Sequence, residues 1–206
     1  MSRTIFVEGK RYSFSDYFNM GYPSEEIVAE LGYQLVLEEI HFSQNTQVNA
    51  QRVEDLKTFY YKLVPKITLN SESAKREFMI APLLQTIMLD IDAKLNIEYP
   101  IDVNERLNGI IDYLIRSTEE LIVIEAKKGD LERGFNQLAA EMIALDQYEE
   151  NLASPNLYGA ITIGEVWRFA ILKRSEKKLI KDINLFRFPQ DTQDILAIVL
   201  GILLKA

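Results

Sequence analysis

Apolar positions along this chain fall into two rhythms. Between Leu107 and Lys127 they run in two short blocks, Ile110, Ile111, Leu114 and Ile115, then Leu121 to Ile124, divided by Arg116-Ser117-Thr118-Glu119-Glu120. Blocks of this length closed by a short polar turn predict a hairpin of two largely buried strands, 107–115 and 121–127. Downstream the spacing lengthens to three and four. Leu131, Phe135, Leu138, Met142 and Leu145, widened by Ala139 and Ile143, predict a helix from Leu131 to about Glu149, capped by Asp130 after the strand-breaking Gly129. A second hairpin, 157–163 and 166–172, turns at Gly164-Glu165, and 95–101 and 179–188 read as further strands. The helix between the hairpins lets 157–163 return alongside 121–127, a right-handed crossover in an α/β layer.

The flanks are read the same way. Short strands are expected at 4–7 and 11–14, then a turn of helix from Ser15 or Asp16 to Gly21. A helix follows from a Ser24 cap to a Gly32 stop, then a strand over 33–41 and a polar loop at 43–47. Val53, Leu56, Phe59, Tyr60 and Leu63 have helical spacing, and Pro65 ends that helix. Ser71 or Ser73 caps the next, whose stripe is Phe78, Ala81, Leu84, Ile87 and Met88; Pro82 inside it predicts a kink or a late start. Asp191-Thr192 caps a C-terminal helix, 193–204, that is apolar almost all round. Such a helix must be buried, within the fold as the first expectation or in a homodimer through that helix as the second. The whole predicts an α/β fold, a mixed central β-sheet flanked by helices in the order αβββαβ, with N- and C-terminal additions. Residues 1–52 read as an extension packed on a 53–206 domain, or as part of one domain.

Composition changes this picture little. The 206 residues include no cysteine, which excludes disulfides and zinc–thiolate sites and fits a cytoplasmic location. No signal-peptide pattern opens the chain, and its longest apolar run, 195–204, is too short to span a membrane. The formal charge of −8 disfavours phosphate binding by the chain as a whole. Cations nevertheless cluster at Lys127, Lys128 and Arg133, and again at Arg168, Lys173, Arg174, Lys177, Lys178 and Lys181. The second run reads equally as a solvated hairpin end or as a phosphate-contacting edge.

The charges inside the first hairpin carry the chemistry. Asp112 is the one acid of its strand, and Glu125 and Lys127 share a face of the next. Hairpin closure near Thr118 brings Asp112 roughly opposite 124–126. Charges among buried aliphatics must be paired or hold a metal. Two carboxylates side by side repel, and a hard divalent cation such as Mg²⁺ relieves them. A lysine beside them can orient or deprotonate an attacking water, a chemistry suited to phosphodiester hydrolysis. The plain alternative is an ordinary ion pair at a strand end.

Asp112 followed by Glu125-Ala126-Lys127 resembles the D…ExK signature of the PD-(D/E)XK nuclease superfamily, the restriction-endonuclease-like fold, with Ile111 standing where the motif's proline would be. Gln137 resembles an additional glutamine of many branches. Residues 158–169, and 71–77 with Ala81-Pro82-Leu83-Leu84, are similar to parts of the nuclease domains of type I restriction subunits. The resemblance covers about residues 70–175. It implies a metal-dependent nuclease, endo- or exonucleolytic, with DNA as the expected substrate. Asp112 and Glu125 would hold Mg²⁺ (or Mn²⁺), with the Ala126 carbonyl as a third ligand, and Lys127 would position the water. Gln137 would donate to a phosphate oxygen or steady Lys127 and the water; an exposed helix glutamine is its plain alternative. The first helix would supply an acid, Glu72 in preference to Glu77. The rival expectation is a nuclease-fold module that no longer cleaves and binds nucleic acid or a partner protein.

Overall fold

The computed structural model describes residues 5–43, 48–117, 120–125, 129–148 and 154–204, with the backbone alone for 120–125. Among these, eight strands form one mixed sheet with helices on both faces, a mixed α/β protein. The strands are β1 (Gln34–Glu38), β2 (Lys94–Asp102), β3 (Asn108–Arg116), β4 (Glu120–Glu125), β5 (Asn156–Thr162), β6 (Val166–Lys173), β7 (Lys178–Asp182) and β8 (Phe186–Arg187). Their spatial order is β1-β7-β6-β5-β4-β3-β2, with β8 paired to β6. The helices are α1 (Phe14–Asn19), α2 (Ser24–Glu30), α3 (Ala50–Leu63), α4 (Glu72–Lys75), α5 (Ala81–Met88), α6 (Leu131–Tyr148) and α7 (Thr192–Leu203). The predicted run of helix, three strands, helix and strand is α5, β2, β3, β4, α6 and β5. Among the described residues no helix is long and apolar enough to cross a membrane.

The predicted hairpin is present, antiparallel from Tyr113↔Val123 to Arg116↔Glu120. Strand β5 returns parallel to β4, from Glu120↔Leu157 to Glu125↔Thr162. Side-chain alternation then divides the core in two. Leu157 and Ile161 face α6, whereas Tyr158 and Ala160 face the layer of α3, α5 and α7. Gly159 sits so close under α6 that a Cβ there would lie 2.6 Å from Met142 Sδ.

Helix α6 starts as its sequence predicts, with Arg133 N–H donating to Asp130 Oδ1 at 3.0 Å. Its burial is wider than the predicted stripe: every residue from Gly134 to Leu145 is buried. The sheet covers one side, and α1 and α2 cover the other through Phe14, Tyr17, Ile27 and Val28. The Ser24 hydroxyl donates to Asn136 Oδ1, and Tyr33 donates to Asp146 Oδ2 at 2.7 Å. Strand β1 pairs in parallel with β7. The N-terminal segment thus contributes both a third layer and an edge strand to the same sheet.

Several local expectations are corrected. No strand forms within the described residues of 5–14, where the only β pairing is a bridge between Ser13 and Asn108. Side chains take the place of a ladder there: Val7 N–H donates to Tyr12 Oη at 2.9 Å, and the Phe6 ring packs 5.2 Å from Tyr12 and 6.0 Å from Tyr17. Pro23, not Ser24, occupies the N-cap of α2, because the Ser24 hydroxyl is bound to Asn136. The strand expected over 179–188 is divided into β7 and β8; Asp182 Oδ1 accepts from Asn184 N–H at 3.0 Å and turns the chain. Asp191 stands at the N-cap of α7, but its carboxylate binds Arg187 rather than the helix end. Of the kink or late start expected at Pro82, the structure shows Pro82 in the first turn of α5, joined to α4 through a π-helical turn over Arg76–Ile80. Helix α7 is buried from Ile195 to Leu203 within its own chain, so its apolar surface is already covered without a second copy.

Gly109 marks where the N-terminal layer meets the sheet. It has φ +145°, and a Cβ would lie 2.8 Å from Phe14 Cδ2 and 3.0 Å from the Phe14 backbone nitrogen. Gly109→Ala is expected to cost about 1–3 kcal/mol in urea unfolding, through overpacking and backbone strain. A cost below roughly 0.5 kcal/mol, the scale of a neutral surface change, would mean that α1 can lift away from β3 at little expense.

Candidate active site

The β2–β3 ladder is interrupted at one place. Pairs run from Lys94↔Arg116 to Ile97↔Tyr113 and from Tyr99↔Ile111 to Asp102↔Asn108, omitting Glu98 and Asp112 between them. Glu98 has φ +54°, a left-handed conformation that side chains with a Cβ rarely adopt. The interruption exchanges the faces of both strands. Leu95, Tyr113 and Ile115 pack with α5 and α7, whereas Tyr99, Ile101 and Ile111 pack on the α6 side. Asp112 therefore stands where its strand changes sides, within reach of both helical layers.

Two cavities meet there. One, of about 370 Å³, is lined by Ser13, Ser15, Glu98, Asp112 and Gln137 among others. The other, of about 270 Å³, is lined by Ser73, Arg76, Glu77, Glu98 and Tyr113 among others. Glu98 borders both. Arg76 Nη1 lies 3.5 Å from Asp112 Oδ1, and Arg76 Nη2 lies 3.7 Å from Glu98 Oε1. Arg76 Nε donates to Tyr113 Oη at 3.4 Å, and the guanidinium lies 5.2 Å from that ring's centre.

Gln137 is only 4% exposed, so the plain reading of an exposed helix glutamine is overturned. Its Nε2 donates to Glu141 Oε1 at 3.0 Å, one helical turn on. The bond to Glu141 orients the amide and leaves Oε1 and the second N–H of Nε2 as the polar groups Gln137 can offer the cavity. Both roles the resemblance implies, a donor to phosphate and a steadying contact to water, remain open to this amide.

The remaining predicted residues are placed as follows. Glu125 ends β4, its backbone beside Thr162 of β5. The hairpin pairing ends at Tyr113↔Val123, one residue short of Asp112. Ala126 and Lys127, the third ligand and the water-positioning lysine, lie outside the described residues. Glu72 opens α4 behind its Ser71 cap and is not among the described lining of either cavity, whereas Glu77 is. Among the described residues no three acidic or histidine side chains converge as a ready metal cluster. Glu98, Arg76 and the Ser13–Ser15 wall were missed in the sequence. No spacing marks Glu98, because its role comes from a backbone conformation.

The second basic run is largely neutralised within the fold. Arg168 and Lys181 both bind Glu132, the former at 2.7 Å. Arg174 pairs with Asp146 at 2.5 Å, Lys178 with Glu38 at 3.0 Å and Lys173 with Glu176 at 3.6 Å. Lys177 lies 5.8 Å over the Tyr33 ring. The phosphate-contacting edge that the run suggested therefore has most of its charge engaged.

No family model matches the chain, and no curated protein or solved structure is significantly similar to it. What the chain does must be argued from its own geometry.

Burial opposes the charge on Glu132, but hydrogen bonds from Lys181 and Arg168 outweigh it and hold the carboxyl below the usual glutamate range. A carboxyl lowered on folding stabilises the fold above its unfolded pKa, and that contribution is lost as pH falls through the folded value. Glu132→Gln is accordingly expected to lower the melting temperature at neutral pH, with the difference from the native chain shrinking in acid. Melting curves across that range test this; a difference independent of pH would assign the loss to packing instead.

Proposed function

We propose that this chain is a metal-dependent nuclease of the restriction-endonuclease-like type, hydrolysing phosphodiester bonds with DNA as its substrate. The observation that carries the reading is that Asp112 of β3 and Gln137 of α6, two residues singled out by the resemblance, line one cavity. The β2–β3–β4 meander with β5 parallel to β4 across α6 supports it, being the element order that the resemblance implies.

The donor set fits a hard cation. Asp112 and Glu125 offer carboxylate oxygens and Gln137 an amide oxygen, the ligand chemistry of Mg²⁺ or Mn²⁺. Asp112 and Glu125 are the proposed ligands, with the Ala126 carbonyl a third. The ion would supply Lewis-acid stabilisation of charge growing on the phosphate. Lys127 would orient the attacking water, and Gln137 Oε1 would accept one of its hydrogens, turning a lone pair toward phosphorus. As the new P–O bond forms, the water's proton would pass to solvent, and the scissile ester oxygen would leave with the bonding pair and take up a proton from solvent.

A second reading is favoured by two observations: Arg76 already accompanies Asp112, and the basic edge is engaged internally. It is a non-catalytic module of the same fold that binds nucleic acid or a partner protein.

Calorimetric titration of Mg²⁺ and Mn²⁺ into the native chain, Asp112→Ala and Glu125→Ala separates the readings, with plasmid and single-stranded DNA incubated in parallel. The nuclease reading expects metal affinity to fall by about 10–100-fold in each variant, with metal-dependent cutting lost. Absence of metal binding at millimolar concentration, with DNA present, would discard it in favour of the binding module.

A further inference from the structure

Resting on that reading, we infer that Arg76 is a phosphate clamp, held in waiting as the counter-ion of the acidic residues around it. The guanidinium is fixed at one corner. Nε donates to Tyr113, and the ring lies beside the planar group. The terminal nitrogens are spent differently. At 3.5 and 3.7 Å they accompany Asp112 and Glu98 as ion pairs, and neither makes a hydrogen bond among the described residues. The fork is charged, oriented and under-bonded, and it borders a cavity that meets the Asp112–Gln137 cavity at Glu98.

A planar fork with two parallel N–H groups matches two non-bridging phosphate oxygens, which a lysine ammonium cannot do. One of its present partners, Asp112, is a group the divalent cation would claim. Once Asp112 is neutralised from the other side, Arg76 loses part of its counter-charge and its terminal donors become available to an anion. The exchange conserves charge in the site: the cation replaces the guanidinium beside the carboxylate, and phosphate replaces the carboxylate beside the guanidinium. The π-helical turn begins at Arg76, so the side chain leaves a widened turn rather than a regular helix.

The test uses Arg76→Gln and Arg76→Lys in the full chain, with Mn²⁺ alone and inorganic phosphate alone or with Mg²⁺ as probes. Arg76→Gln removes the competing cation and is expected to tighten Mn²⁺ binding. It should also weaken phosphate binding at least about tenfold, the loss of one charge-assisted hydrogen bond. Arg76→Lys keeps the charge but lacks the fork, so it should hold Mn²⁺ near the native affinity and still lose phosphate. Native-like melting of the lysine variant guards against misfolding as the cause. Unchanged phosphate affinity in both variants, or a native chain that binds no phosphate, overturns the clamp. Weaker Mn²⁺ binding in Arg76→Gln overturns the counter-ion role. Failure of Mn²⁺ to bind the native chain would remove the nuclease reading by itself, while the metal-free phosphate comparison still decides the clamp.

Discussion

A helix buried on every side needs cover on every side. Helix α6 lies against the sheet with one flank and would expose apolar surface on the other, so α1 and α2 must close over it. Much of the fold answers to this requirement. It draws the N-terminal segment across the helix, ties it there through Ser24 and Tyr33, and places Ser13 and Ser15 on the wall of the cavity that holds Asp112. Gln137 is fixed by the same closure. An amide enclosed in this way must find a partner, and Glu141 supplies it.

The second organising feature is local and polar. Glu98 in a left-handed conformation interrupts a ladder that is otherwise in register on both sides. Such a conformation costs of order 1–3 kcal/mol, and it persists where surrounding structure imposes it. Here it changes the side on which two strands present their residues. It also sets a carboxylate between two helical layers, with the Arg76 guanidinium beside it and Glu98. A regular pair of strands would have buried Asp112 against one layer or exposed it to the other, and the two cavities would not share a border.

The elements were well legible because their signals are short-range. The hairpin pairs out to Arg116↔Glu120, Asp130 caps α6, Gly32 stops α2 and Pro82 sits in the first turn of α5, each through chemistry acting over a few residues. Asp112 and Gln137 could be named from a motif, and the fold brings them to one cavity. What could not be read depends on partners distant in the chain. The outer cover on α6 turns a helix with a stripe into a helix buried all round. Lys181 and Arg168 look like free cations until Glu132 comes between them. Glu98 carries no pattern at all, and the segments 4–7 and 11–14 show the reverse error: they have β-like composition, but aromatic packing holds the described part of that segment without a ladder.

The pairing of β1 with β7 has a consequence for how the molecule comes into being. Glu38 and Lys178, joined across that edge, are 140 positions apart. During synthesis β1 is made about 140 residues before β7, its only strand neighbour among the described residues. The aliphatic side of α6 appears midway and cannot be fully enclosed until then. Long-range pairing of this kind folds slowly and leaves unpaired edges in the meantime. Between the synthesis of β1 and that of β7 this sheet edge stays open, a period in which a chaperone would find more to hold than on the folded chain.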